Sequence, residues 1–95
     1  MSKEYYDNLN WLSTSKSCFL QKNVEFKRNF LGNLMFERVI SSGVDQNIAP
    51  RITGMLIDFE VMTVNDIQTI LLDDRIYYQY LGEALFKLID MNYIQ

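Results

Sequence analysis

A chain of 95 residues holds one domain, with no room for a second core. Hydrophobic residues make up 48% and charged residues 22%, the balance of a folded domain rather than a disordered one. Nine Lys and Arg against twelve Asp and Glu leave a net charge of −3, which argues against a nucleic-acid surface. The single cysteine excludes an intramolecular disulfide, and the lack of histidine removes His-dependent catalysis and His-ligated metals.

One proline and four glycines are too few for a turn-rich β fold, and the apolar residues recur mostly at three- and four-residue spacing. The fold class predicted is all-α, a small right-handed bundle of four to five helices. Residues 1–22 read as an N-terminal segment with a short helix near 4–13, where Tyr5, Tyr6, Leu9 and Leu12 fall at helical spacing around Trp11. A polar Ser/Thr run at 13–17 follows, and then the brief apolar patch Cys18-Phe19-Leu20. The helical domain proper is read as 23–95.

Its first helix, the second segment of the chain, spans about 23–41. Its stripe is Phe26, Phe30, Leu31, Leu34, Met35, Val39 and Ile40, with Asn23 as N-cap, Glu25 in the first turn and Gly43 just past the end. A third, short segment is capped by Asp45 or Asn47, carries Pro50 in its first turn, and turns Ile48, Ile52, Met55, Leu56 and Phe59 inward. A fourth runs from Thr63 or Asn65 to Leu72 with Ile67, Ile70 and Leu71 inward. Asp73-Asp74 caps a fifth, about 75–91, whose stripe is Ile76, Tyr80, Leu81, Ala84, Leu85, Leu88 and Met91.

Catalysis finds little to work with. Asp73-Asp74 sits where carboxylates cap a helix, Asp58 and Glu60 flank Phe59 as solvated charge, and Cys18 has no histidine to activate it and reads as a buried or incidental thiol. No phosphate loop, dinucleotide fingerprint or metal constellation occurs, so a non-enzyme without cofactor is expected. No apolar run approaches the roughly 20 residues of a membrane span, and the start lacks a basic-then-apolar signal pattern. A cytoplasmic protein that does not engage membranes is the expectation. What is left over is aromatic surface: six Phe, six Tyr and one Trp exceed what so small a core can hide. Exposed aromatics between helices suit a short peptide, although a stripe at this spacing also serves as core.

Three blocks carry a family resemblance. Arg51-Ile52-Thr53-Gly54-Met55-Leu56-Ile57-Asp58 resembles the K-I-T-G-M-L-L-E signature of the MLLE (PABC) domain, the helical peptide-binding domain at the C-terminus of cytoplasmic poly(A)-binding proteins. Leu31-Gly32-Asn33-Leu34-Met35-Phe36 is similar to the family's L-G-E-x-L-F, and Leu81-Gly82-Glu83-Ala84-Leu85 to its V-x-E-A-x segment. The blocks keep the family's order over about residues 25–91, with an apparent three-residue insertion near 60–63. The family's Gly-Lys is Pro50-Arg51 here, Asn33 replaces an acidic residue, and Asp58 shortens one.

The resemblance implies an adaptor that binds short PABP-interacting-motif peptides of translation and mRNA-turnover factors through a Leu and a Phe anchor. Matching positions for the Phe pocket are Asn29, Gly32, Asn33 and Phe36 from the second segment with Pro50, Arg51 and Thr53 from the third. For the Leu pocket they are Met55, Leu56 and Asp58 with Tyr80, Ala84, Lys87 and Met91 from the fifth. Gly32 would let a ligand ring approach the backbone beside Phe36, or else allow close helix packing; Met55 would line a pocket or fill the core; Thr53 would touch ligand or bond its own helix. A monomer is expected. The alternative, from a different class, is an assembly module that pairs through exposed aromatics on the second and fifth segments, with the peptide groove altered or lost.

Overall fold

The computed structural model describes residues 1–93, so the last two positions of the expected 23–95 domain lie outside the described residues. Every regular element there is a helix: α1 (Lys3–Thr14), α2 (Lys16–Leu20), α3 (Val24–Ser41), α4 (Ala49–Leu56), α5 (Val64–Leu72) and α6 (Asp74–Asp90). The architecture is all-α, with one helix beyond the expected four to five because the Cys18-Phe19-Leu20 patch forms the short α2.

The helix starts follow local chemistry. Asn23 accepts a hydrogen bond from the Phe26 N–H at 2.7 Å, and Thr63 and Asp66 close a reciprocal capping box on α5. Asp73 Oδ1 accepts from the N–H groups of Arg75 and Ile76 at the head of α6. Gly43 takes φ 89° just after α3, a conformation that a side chain would oppose. The third segment departs from expectation. Asp45 and Asn47 do not cap α4: Asp45 Oδ1 accepts from Asn47 N–H in a local turn, and Ile48 stands at the N-cap without a side-chain bond. Pro50 occupies the second helical position, where a missing N–H leaves no partner unpaired. The helix stops at Leu56, so Phe59 lies in the following loop, where Arg28 covers its ring at 5.3 Å.

α4 packs between α3 and α6, α5 packs on α6 and α3, and α1 on α2 and α3. The core runs through all six helices. Residues 1–22 belong to it: Tyr5, Leu12 and Phe19 are buried, and Trp11, Phe19, Phe26 and Phe30 form one contiguous aromatic cluster across α1, α2 and α3. The N-terminal segment is therefore integral to the globule rather than an appendage. Ser15 breaks α1 from α2 as the Ser13 and Thr14 hydroxyls donate to carbonyls one turn back. Cys18 is exposed rather than buried.

On α6 the inward residues are Tyr77, Leu81, Ala84 and Leu88, so Tyr77 takes the core place expected of Tyr80. Tyr77 precedes Leu81 by one helical turn and so shares its inward face, where it meets Arg38. Its guanidinium, on the buried face of α3, sits 4.0 Å over the Tyr77 ring and pairs with Asp74 at 3.0 Å. The Ser42 hydroxyl lies 2.8 Å from that of Tyr77 and donates to the Arg38 carbonyl. Burial alone would lower the Arg38 pKa, but the surrounding Tyr78, Tyr77 and Asp74 raise it, so the charge is locked in place.

Candidate functional site

The expected Leu-pocket residues fall largely together. Met55 and Asp58 from α4 and the turn after it meet Tyr80, Ala84 and Lys87 of α6 around a cleft of about 330 Å³, which Gly54 and Glu83 complete. Ala84, almost fully buried, is its floor; Met55 is half-buried and Tyr80 41% exposed, so both present surface to the opening. Arg51, near the start of α4, meets Tyr93 beyond the end of α6, whereas Asp58 meets Tyr80, so the two helices run antiparallel along the cleft. Asp58, Glu83 and Lys87 are the charged residues of its lining, and Asp58 Oδ1 accepts from the Glu60 N–H at 3.0 Å.

Two residues are placed elsewhere. Leu56 is 1% exposed and belongs to the core, because it follows Ile52 by one helical turn and shares its inward face. Met91 lies past the end of α6 at 62% exposure, outside the lining of the cleft.

The expected Phe-pocket residues line the surface along α3 and the first half of α4, which pack directly on each other. Asn29, Gly32 and Phe36 share one stripe of α3 by their three- and four-residue spacing, and Phe36 is 39% exposed. A Cβ at Gly32 would meet nothing within 4 Å, so this glycine does not serve close helix packing. Asn33, on the flank of that stripe, instead edges a smaller recess of about 180 Å³ against α1, with Glu4, Asn8 and Glu37. Pro50 and Arg51 are exposed. The Thr53 hydroxyl donates to the Ala49 carbonyl at 2.8 Å, a bond within its own helix. The Arg51 guanidinium is covered by the chain's own Tyr93 ring at 4.3 Å, a contact made by the turn Met91–Tyr93, where Asn92 takes φ 58°.

Sequence reasoning missed Gly54, Glu83, Arg38 and Tyr93. Gly54 and Glu83 were within reach, since each neighbours a named cleft residue on the exposed side of its helix. Arg38 continues the buried stripe of Leu31, Leu34 and Met35 one turn further, a signal that inspection of apolar residues alone passes over. Among the described residues no three Cys, Asp or Glu side chains are grouped to hold a metal ion, and no helix is long and apolar enough to cross a membrane.

The chain matches no protein-family model, no characterised protein and no solved structure.

Proposed function

We propose that this chain is an MLLE-like, non-enzymatic adaptor domain that binds short linear peptides of the PABP-interacting-motif type, carried by cytoplasmic translation or mRNA-turnover factors. The observation that carries the reading is the α4–α6 cleft, where five residues expected from the resemblance line a single opening with an apolar floor. Such a cleft suits a branched aliphatic side chain: Met55 and Tyr80 supply adaptable walls, and Ala84 leaves depth. The second anchor, an aromatic ring, rests on the Gly32 backbone beside Phe36, with the exposed Pro50 ring at the rim. Each buried anchor contributes roughly 1.5–3 kcal/mol, and ordering a flexible peptide takes several kcal/mol back, so affinity is micromolar.

Calorimetric titration with a PABP-interacting-motif peptide, beside the same peptide with both Leu and Phe changed to Ala, tests this directly. Micromolar binding abolished in the control is the expected outcome. Met55→Ala should weaken a peptide truncated to its Leu anchor more than one truncated to its Phe anchor. Absence of binding by the intact peptide would refute the assignment.

A further inference from the structure

The side of α6 turned away from the core carries an apolar line of its own. Tyr78, Gly82, Phe86 and Ile89 follow at spacings of four, four and three, a single stripe distinct from the buried Tyr77, Leu81, Ala84 and Leu88. Tyr78 is 54% exposed, Phe86 71% and Ile89 52%, so the chain itself leaves the stripe uncovered. Gly82 lies between the rings as a notch, since a Cβ there would meet nothing within 4 Å, and a shallow, mostly apolar depression surrounds it.

We infer that this face binds a second copy of the chain, as an antiparallel α6 pair crossing at Gly82. A two-fold axis at Gly82 sets each residue against the one equally far on the other side, so each Phe86 packs beside the partner's Tyr78 and the glycines let the backbones approach. The charges select this direction. Arg75 heads the face and Asp90 ends it, and neither has an ion-pair partner among the described residues. Parallel pairing would set Arg75 against its own copy and Asp90 against its own; antiparallel pairing brings Arg75, seven residues before Gly82, between the partner's Ile89 and Asp90, seven and eight after it, while Asp74, level with the partner's Asp90, is already paired with Arg38. Taking roughly 150–250 Å² for an aromatic side chain, the exposed parts of Tyr78, Phe86 and Ile89 amount to about 350 Å² per copy. Doubled, and with the rim of Arg75, Gln79 and Asp90, the interface reaches about 1,000 Å², the lower end for a specific contact. The dimer is therefore weak, with a dissociation constant of roughly 10–100 μM. Tyr80 and Ala84 lie on another side of α6, so the floor of the cleft stays open although its Glu83 and Lys87 edge adjoins the paired face, and the pairing stands whether or not that cleft binds peptide.

Sedimentation of the full chain from about 5 to 500 μM should show a reversible monomer–dimer equilibrium, the range bracketing that constant. Phe86→Glu, at a site open to solvent, should leave the circular dichroism native and abolish the dimer. Arg75→Asp or Asp90→Arg alone should weaken it about tenfold or more, while the double exchange restores it; each change favours the helix end where it is made, so loss of dimer cannot be put down to unfolding. A wild-type chain that stays monomeric throughout overturns the proposal. So does a dimer that survives Phe86→Glu, or one that both single exchanges weaken and the double exchange does not recover.

Discussion

Replacing Gly32 by alanine adds one methyl group at the middle of α3 and separates folding from binding. The added Cβ projects into open space, with no atom of the chain within 4 Å, so the fold meets no clash. A glycine in a helix interior is about 1 kcal/mol less favourable than alanine, so Gly32→Ala should stabilise the domain by about that amount. For a domain of this size, 1 kcal/mol raises the melting temperature by about 4–8 °C. Binding should move the other way. An aromatic anchor resting on the Gly32 backbone would be held off by a group reaching about 1.5 Å further out, comparable to a carbon–carbon bond. A gap of 0.5–1 Å already forfeits about a quarter to a half of a contact's dispersion energy. Half of an anchor's roughly 1.5–3 kcal/mol is lost in this way, about a four- to twelve-fold fall in affinity. Thermal unfolding and peptide calorimetry on one preparation read both quantities. A variant that is less stable would mean that Gly32 serves the fold after all, and one with unchanged affinity would remove the ring from this position.

Two further outcomes are specific. Phe36 leaves 39% of its surface to solvent, about 80 Å² on an aromatic of roughly 200 Å², so at about 25 cal/mol per Å² its burial by ligand contributes about 2 kcal/mol; Phe36→Ala should weaken peptide binding about 30-fold while circular dichroism stays native, and collapse of the fold would make the residue core instead. Tyr5 is buried with its hydroxyl lacking a partner, and burial, partly countered by Arg38, pushes its pKa from 10.0 up to about 12. A raised folded-state value gives stability that is complete below pH 10 and declines as pH rises towards 12, by at most about 2–3 kcal/mol. Tyr5→Phe should flatten part of that alkaline loss in denaturant titrations, Tyr77 retaining the rest because burial raises its pKa too, and should not destabilise at neutral pH. A Tyr5→Phe protein as alkali-sensitive as wild type would contradict the assignment.

The parts of the fold that short-range chemistry decides are legible in the sequence: Asn23, Gly43, Thr63 and Asp73 mark helix ends because each satisfies a backbone requirement within a few residues. What depends on a distant partner is not. The partners of the buried Tyr77 hydroxyl, the Arg38 carbonyl on α3 and the Ser42 hydroxyl just past its end, lie far from it in sequence, although its place four residues before Leu81 already marks it as inward. Asp45 is a good capping residue that spends its carboxylate on a turn instead. The candidate site shows the same division. Met55 and Leu56 are neighbours in one motif, yet adjacent helical residues point about 100° apart, so one walls the cleft while the other fills the core. A motif quoted as a string mixes these two duties, and burial separates them.

The short helix α4 explains how one element serves both halves of the proposed site. Its core contacts are made by Ala49, Ile52 and Leu56, which leaves Pro50 and Thr53 on one flank and Arg51 and Met55, one turn apart, on the α6 flank, where Arg51 meets Tyr93 and Met55 lines the cleft. A peptide wrapping the helix in the proposed way would have to displace the Tyr93 ring that covers Arg51. Pro50 is compatible with this arrangement because the second helical position demands no N–H, and its ring offers an apolar edge where a glycine would offer bare backbone. Arg51 is already covered by Tyr93, but that contact lies at the surface, and an exposed cation–π pair contributes only about 0.5–1 kcal/mol. A ligand that meets Arg51 can therefore displace the Tyr93 ring for less than a single buried anchor returns, and the departures at Pro50 and Arg51 reshape the rim of the site without closing it.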